Sequence, residues 1–471
     1  MGGLFSSLNN SVQALRAFES ALAVSQNNVS NSSTPGYARQ IAILDSQSLN
    51  LPAGLTGGVQ FTGTQSTQNE YLDQAVRTQL SAQGYFTGQS NPLASIQSLF
   101  DVSGQTGLTG ALSNLFQTFS AWGATPNATN AQAVLTQAQA VAQSFQSAAA
   151  SLSQTTSSVN QQISSNVSQI NSLAAAIQQA NIAIGQSPVP DPGLDANLHA
   201  SLESLSQIAD ISVSFASNGT ATVLLGGQTP LVIGGQTFAI QANFSGAGTP
   251  AIANSIPDAR ILDSNGQDIT SDISQGSLGG LLAVRNTVLP SIQGNGQQQG
   301  SLNQLAQQIA DRVNQILTSA QTPGGAAGQP LFSYAAAGAA NVAQTLALNP
   351  TITPSTLAPV DPGPPAVSNG AALQLANLGN STSPADEISG QTILQFLGSM
   401  ASQAGQSASD ATTGDNLHTQ LLAQSRSLQT QVSGISLDAE AAQVLQLQQG
   451  YQAASKMVSV INTLVDSLLQ M

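Results

Sequence analysis

Two histidines, His199 and His418, one lysine, Lys456, and no cysteine are the whole stock of imidazoles, amines and thiols in the chain. Neither histidine lies in an H-E-x-x-H or comparable ligand spacing, so both read as structural or solvated side chains. Lys456 does not close a G-x-x-x-x-G-K-[ST] loop, and no serine sits in G-x-S-x-G, which excludes the two commonest ways of cradling phosphate or activating a hydroxyl. Asp263, Asn265, Gly266 and Asp268 begin like a calcium loop. The glycine comes at the fourth position instead of the sixth and no Glu follows at the twelfth, so a tight turn is the better reading. Asp438 and Glu440 open a helical segment, where carboxylates complement the helix dipole, and read as capping. Triplets such as Asn28-Val-Ser30 are expected by chance in so Asn- and Ser-rich a chain. The expectation is no enzyme: no catalytic residue, no cofactor and no metal.

Composition narrows the class further. The 471 residues are 41% hydrophobic and only 6% charged, with eight Lys and Arg and a net charge of -14. So few basic residues cannot neutralise a phosphate backbone or hold to an anionic membrane, which excludes nucleic acid and membrane as partners. No apolar run approaches 18 residues, and the first residues lack a basic n-region followed by an apolar stretch. Neither a membrane span nor a cleaved signal peptide is expected. At about 150 residues per domain the length suggests about three.

The elements are more informative than the chemistry. Leu8, Leu15, Leu22 and Val29 recur every seven residues, predicting a helix over 3–31 that stops before Thr34, Pro35, Gly36 and Tyr37. Alternation over 39–44 and 59–62 predicts short extended segments. Helical patterning runs from Asn69 to Trp122 with breaks near Gly84 to Pro92 and Gly104 to Gly107. A long helix over 127–185 follows, in which Phe145, Leu152, Val159 and Leu173 form one row and Ile163, Ile170, Ile177 and Ile184 another. The proline-rich segment 187–193 ends it. A short helix over 194–209 then leads into extended runs at 211–215, 223–225 and 238–240, with Asn218-Gly219 as a hairpin turn.

Helical periodicity resumes at 281–288 and 302–317. Residues 322–383, rich in Pro, Gly and Ala, predict loops with short elements. From Ile393 the chain is helical again, pausing near Gly434. Leu437, Val444, Tyr451, Val458 and Val465 are seven apart, with Leu447, Ala454, Ile461 and Leu468 completing a heptad seam. Two narrow apolar stripes at opposite chain ends point to ends that pair with each other or with neighbouring subunits, and that order on assembly. The predicted fold is mainly α with a β-rich insertion: N- and C-terminal helices paired as a coiled coil, a long helical bundle layer and an outer β module. The expected units are 1–65 with 435–471 as a terminal assembly domain; 66–186 with 278–320 and 390–434 as a bundle; 187–277 as a β-rich outer domain; and 321–389 as a loop-rich segment.

Residues 20–40, SALAVSQNNVSNSSTPGYARQ, closely resemble the N-terminal signature of bacterial flagellar rod, hook and hook-associated proteins. SGISLDAEAA at 433–442, QQGYQA at 448–453 and the ending LLQM resemble the C-terminus of the hook-associated proteins of that axial family, and GSLGGLLAVR at 276–285 is similar to an interior segment of the same proteins. Two departures stand out. Ala439 occupies a place where the family usually has another acid, and residues 195–200 lack its usual charged run.

The resemblance implies a structural subunit at the junction of hook and filament, extracellular, exported through the flagellar type III channel without a cleaved signal peptide. It implies a homo-oligomeric ring on the hook tip, with hook protein, a second junction protein and an export chaperone as partners. The expected assembly interface is Leu8, Leu15, Leu22, Val29, Val444, Leu447, Tyr451, Val458, Ile461, Val465 and Leu468. The family turn comprises Asn28, Asn31, Thr34, Pro35, Gly36, Tyr37, Arg39 and Gln40. The alternatives are another axial protein, such as hook protein or the second junction protein, and a secreted hydrolase carried on a flagellar scaffold, for which no motif speaks.

Overall fold

A computed structural model describes residues 2–50, 55–100, 107–187, 189–246 and 250–470. The chain opens with helix α1 (Gly2–Ser30), whose end is followed by an antiparallel pair, β1 (Gln40–Asn50) and β2 (Leu55–Ser66). Three helices follow: α2 (Glu70–Leu99), α3 (Gly107–Ala124) and α4 (Ala128–Gln186). After the proline-rich linker, α5 (Pro192–Ile208) leads into strands β3 (Ile211–Phe215), β4 (Ala221–Leu225), β5 (Thr229–Ile233), β6 (Gln236–Thr237), β7 (Gln241–Asn243) and β8 (Arg260–Leu262). Strands β3 to β6 form one antiparallel meander, and β7 and β8 pair separately.

Next come α6 (Gly276–Ala283), a π-helical turn over Val284–Val288, α7 (Leu289–Gln293) and α8 (Ser301–Ser319). Short elements follow: β9 (Phe332–Ser333), α9 (Val342–Thr345), β10 (Ala347–Leu348) and α10 (Gly370–Asn377). Two long helices, α11 (Ile393–Ser433) and α12 (Leu437–Leu469), complete the chain. The fold is mainly helical with small antiparallel sheets, as the periodicity predicts.

Local chemistry explains the boundaries. Asn127 caps α4, its side chain accepting the Asn130 N–H, and Asp191 caps α5 with Pro192 in the first helical position, where a missing N–H costs nothing. Thr392 and Gln395 form a reciprocal capping box at the start of α11. Helix α4 has 59 residues, about 88 Å at the standard rise, and acts as a spine for two cores. Its first half, including Phe145 and Leu152, joins α3, α8, α10 and the start of α11 in one cluster. Its second half, with Val159, Ile163, Ile170 and Ile177 all fully buried, joins α5, α6 and the inward residues of the β strands. The loop-rich stretch is packed as well, with Leu331, Phe332, Leu346, Leu357 and Leu375 buried in the first cluster.

Two sequence expectations need correction, and one strand goes unread. Helix α2 runs unbroken through Gly84 to Pro92. The glycines there are contact points, since a Cβ on Gly84 would meet the Gln207 carbonyl at 2.1 Å and one on Gly88 the Ser277 carbonyl at 2.5 Å. Phe238 to Ile240 is not itself a strand; β6 ends before it and β7 begins after it, although Phe238 still donates its N–H to the Leu231 carbonyl. Strand β5, absent from the extended runs read in the sequence, pairs on both sides. Pro230 faces Leu224 where the register with β4 shifts, the sort of irregularity that tolerates a missing donor. The expected break at Gly104 to Gly107 falls mostly on residues 101–106, outside those described, and so does Pro188 of the linker.

Candidate assembly site at the paired chain ends

Helices α1 and α12 pack together, although more than four hundred residues separate them. They run antiparallel: Phe18, midway along α1, lies against Gly450 of α12, while Arg39, just past α1, reaches the first turn of α12. A Cβ on Gly450 would come within 3.0 Å of the Phe18 ring, so a bare backbone is what lets the ring sit so close.

The turn after α1 is held by its own backbone, as in the Tyr37 N–H donating to the Thr34 carbonyl at 3.2 Å, and by its side chains. Asn28, buried on the last turn of α1, accepts the Gln40 N–H at 2.9 Å and donates to the Gln40 carbonyl at 2.8 Å, closing the loop between helix and strand. The Tyr37 hydroxyl donates to the same Asn28 oxygen at 3.2 Å, and the Thr34 hydroxyl to Asn31 at 3.1 Å. Burial first, and the Glu440 charge second, push the Tyr37 phenol above its ordinary 10.0. Gly36 has φ +74, in the left-handed region, and a Cβ there would meet the Ala196 carbonyl of α5 at 2.3 Å. Pro35 is exposed, which leaves it the backbone role of shaping the turn.

Arg39 ties this turn to the other end of the chain. Its Nε donates to Glu440 at 2.6 Å and its Nη2 to Gln443 at 3.0 Å. Its backbone N–H donates to the Ser433 carbonyl at 3.0 Å, its carbonyl accepts the Thr67 N–H at 2.9 Å, and the Ser433 hydroxyl donates to the Thr67 carbonyl. The structure therefore corrects the reading of Glu440 as a cap. Its side chain is fully buried and paired with Arg39, while Ser436 caps α12 by accepting the Ala439 N–H. Asp438 stays exposed in the first turn.

The expected seam residues divide into two groups. On α12, Leu447 and Ile461 are buried, Val444, Val458 and Val465 are half-buried, and Tyr451 and Leu468 are exposed. On α1, Leu8, Leu15 and Leu22 are only half-buried and Val29 is exposed. The fully buried row of α1 is Ala17, Ala21, Ser25 and Asn28, at steps of four, four and three. Sequence reasoning named Asn28 only as part of the turn and passed over Ala17, Ala21 and Ser25, because it weighted large apolar residues. The helical spacing of small side chains was the available signal. A second row on α12, Met457, Val460, Leu464 and Leu468, is apolar and about half exposed.

Beneath the turn lies the only group of side chains among the described residues with the makings of a cation site: Glu70 and Asp73 of α2 with His199 of α5. His199 is buried, its ring stacked on Phe215 at 5.3 Å. Its Nδ1 lies 3.7 Å from Asp73 and its Nε2 3.6 Å from Asp195. Burial holds Asp195 above the usual carboxylate range, the His199 charge opposing and the Asp73 charge adding. His418 is elsewhere, stacked on Phe86 and bonded through Nδ1 to Gln79 at 3.0 Å. Asp263 accepts the N–H groups of Asn265 and Gln267, and the Gln267 bond foremost holds it below the usual carboxylate range. No helix among the described residues is long and apolar enough to cross a membrane.

Residues 93–332 match the family described as the flagellar hook-associated protein FlgK helical domain. The chain belongs to the FlgK family. A FlgK-family relative, flagellar hook-associated protein 1 of Bacillus subtilis (strain 168), is 25% identical over 516 residues, spanning 100% of this chain and 98% of its own. The solved structure of the flagellar hook junction protein FlgK from Burkholderia pseudomallei matches with a TM-score of 0.65 at 16% identity, covering 77% of this chain and 100% of its own. That likeness is one of fold.

Proposed function

We propose that this chain is a structural subunit of the bacterial flagellum that joins hook to filament, assembling through its paired terminal helices. The observation that carries the reading is the apolar row Met457, Val460, Leu464 and Leu468, left about half exposed on a helix whose other face is already covered by α1. An exposed stripe at helical spacing suits packing against neighbouring copies, and the small-residue row of α1 keeps the pair slim enough to be bundled. The FlgK family membership directs this interface to the flagellar axis.

In this reading residues 1–65 and 435–471 form the assembly layer, and α2, α4 and α11 carry the rest of the molecule outward. The subunits form a homo-oligomeric ring, with hook protein on one side and the second junction protein on the other. An export chaperone covers the α12 row before assembly, and the chain leaves the cell through the flagellar channel. The role is structural and not catalytic. The test is hydrogen exchange on the dilute monomer and on protein assembled onto hooks. Segments 1–40 and 437–471 should exchange faster in the monomer and gain protection on assembly. Protection that is already complete in the monomer and unchanged on hooks would move the interface elsewhere in the chain.

A further inference from the structure

We propose that Glu70, Asp73 and His199 form a binding site for a borderline divalent transition cation, Zn2+ by preference, which staples α2 to α5 directly beneath the family turn. The three ligand atoms already lie within 4.8 Å of one another, with Asp73 3% and His199 7% exposed. Glu70 is exposed and gives the site a solvent side.

The decisive observation is the state of His199. Although buried, it makes no hydrogen bond to any described residue; its two nitrogens stand 3.7 and 3.6 Å from carboxylate oxygens. A charge-assisted N–H···O bond closes to about 2.7–2.9 Å, and a buried polar group normally makes one. Two donors on one tetrahedral Zn2+, each bonded at about 2.1 Å, stand about 3.4 Å apart. The 3.7 Å between Nδ1 and Asp73 is closer to the spacing of co-ligands than to that of hydrogen-bond partners, while Asp195 faces the nitrogen on the other side of the ring. Ring stacking on Phe215 fixes the imidazole plane without using either nitrogen.

Charge and donor count agree. Three carboxylates, Glu70, Asp73 and Asp195, gather around His199 and Arg77, an acidic surrounding that favours a cation. Gln68 donates its Nε2 to Asp73 at 2.9 Å, while its Oε1 is buried with no donor. A half-turn of that amide offers Oε1 as a fourth, neutral ligand. The far oxygen of Asp73 accepts the Gln429 amide of α11 at 2.7 Å, the kind of outer hydrogen bond that orients a ligating carboxylate. A mixed imidazole and oxygen set without thiolate suits Zn2+ or Ni2+; Ca2+ and Mg2+ prefer oxygen alone. Arg77, which pairs with Glu70, lines a cleft of about 630 Å3, and Asp195, beside His199, lines one of about 580 Å3. Ala196, whose carbonyl backs Gly36, is one helical turn from His199, so a bound cation stiffens the base of the turn.

The experiment uses the full chain, stripped with a chelator. Co2+ is added while its visible absorption is followed, and thermal unfolding is compared in ZnCl2 and MgCl2. One equivalent of Co2+ should bind with ligand-field bands, and Zn2+ but not Mg2+ should raise the melting temperature. His199→Gln should abolish both effects and His418→Gln neither. Glu70→Gln should weaken Co2+ binding at least about tenfold, with the unfolding midpoint of the metal-free variant measured alongside because Glu70 also pairs with buried Arg77. No uptake by the unaltered chain, uptake unchanged in His199→Gln or Glu70→Gln, or equal stabilisation by Mg2+ would overturn the site.

Discussion

Arg39 and Glu440 show how much of this molecule hangs on single side chains. The Glu440 carboxylate is fully buried, and its only bonded partner is the guanidinium, since its second oxygen has none. Removing one member of a buried pair strands the other, at roughly 3–5 kcal/mol. Arg39→Ala should therefore release the first turns of α12, read as faster hydrogen exchange over 437–447 with the bundle cores unaffected. Arg39→Lys should recover only part of the loss, because the two-pronged grip on Glu440 and Gln443 needs a planar fork. Tyr37, in the same cluster, has its pKa raised. For an acid whose folded pKa lies above its unfolded value, the stability it contributes is complete below about pH 10 and is lost as pH rises through the folded value. The turn should loosen in alkali. Tyr37→Phe should lose about 1 kcal/mol at neutral pH with its hydrogen bond to Asn28, and its alkaline loss should be smaller, measured by urea unfolding across pH 8 to 11.

The elements meet where side chains are absent. The crossings of α2 with α6 and with α5 are the clearest examples: a Cβ on Gly280 of α6 would stand 2.0 Å from the Tyr85 carbonyl, and one on Gly84 2.1 Å from that of Gln207 in α5. Neither obstacle is a flexible side-chain tip that could swing aside, so the helices themselves must part. Gly280→Ala should destabilise by at least about 1–3 kcal/mol, seen as a lower midpoint in thermal or urea unfolding. Gly185→Ala, which meets nothing within 4 Å, is the control and should be neutral or slightly stabilising. The sequence reading placed a helix break at Gly84 to Pro92 because glycine and proline were weighed as local signals. The packing across them was decided by residues 207 and 277, far along the chain.

At the scale of the whole molecule, one helix shared by two cores and one pair of helices joining the chain ends divide the labour. The cores built on α4 are apolar and well buried, while the α1 and α12 pair leaves Met457, Val460 and Leu464 open. Deleting residues 458–471 should abolish incorporation into the hook-filament junction, scored by electron microscopy of isolated flagella, while the main unfolding transition of the bundle stays within a degree or so. A truncated chain that still joined hook to filament would remove the terminal helices from the assembly role. Val458→Asp, which puts a charge into the half-buried seam, should weaken both self-assembly and chaperone binding, measured by calorimetry.

Periodicity alone determined the mainly helical fold, the long α4, the two terminal helices and the turn at Thr34 to Gln40, because each is a local pattern of apolar spacing or turn chemistry. It also pointed to the heptad row of α12, of which Leu447 and Ile461 are buried. Tertiary structure alone decided that the buried face of α1 is its small-residue row, that Glu440 pairs with Arg39 401 positions away, and that His199 faces Asp73 and Glu70. A charge or ligand pair depends on distance in space. No spacing along the chain encodes a contact between segments that meet only after α2, α5 and α12 have packed.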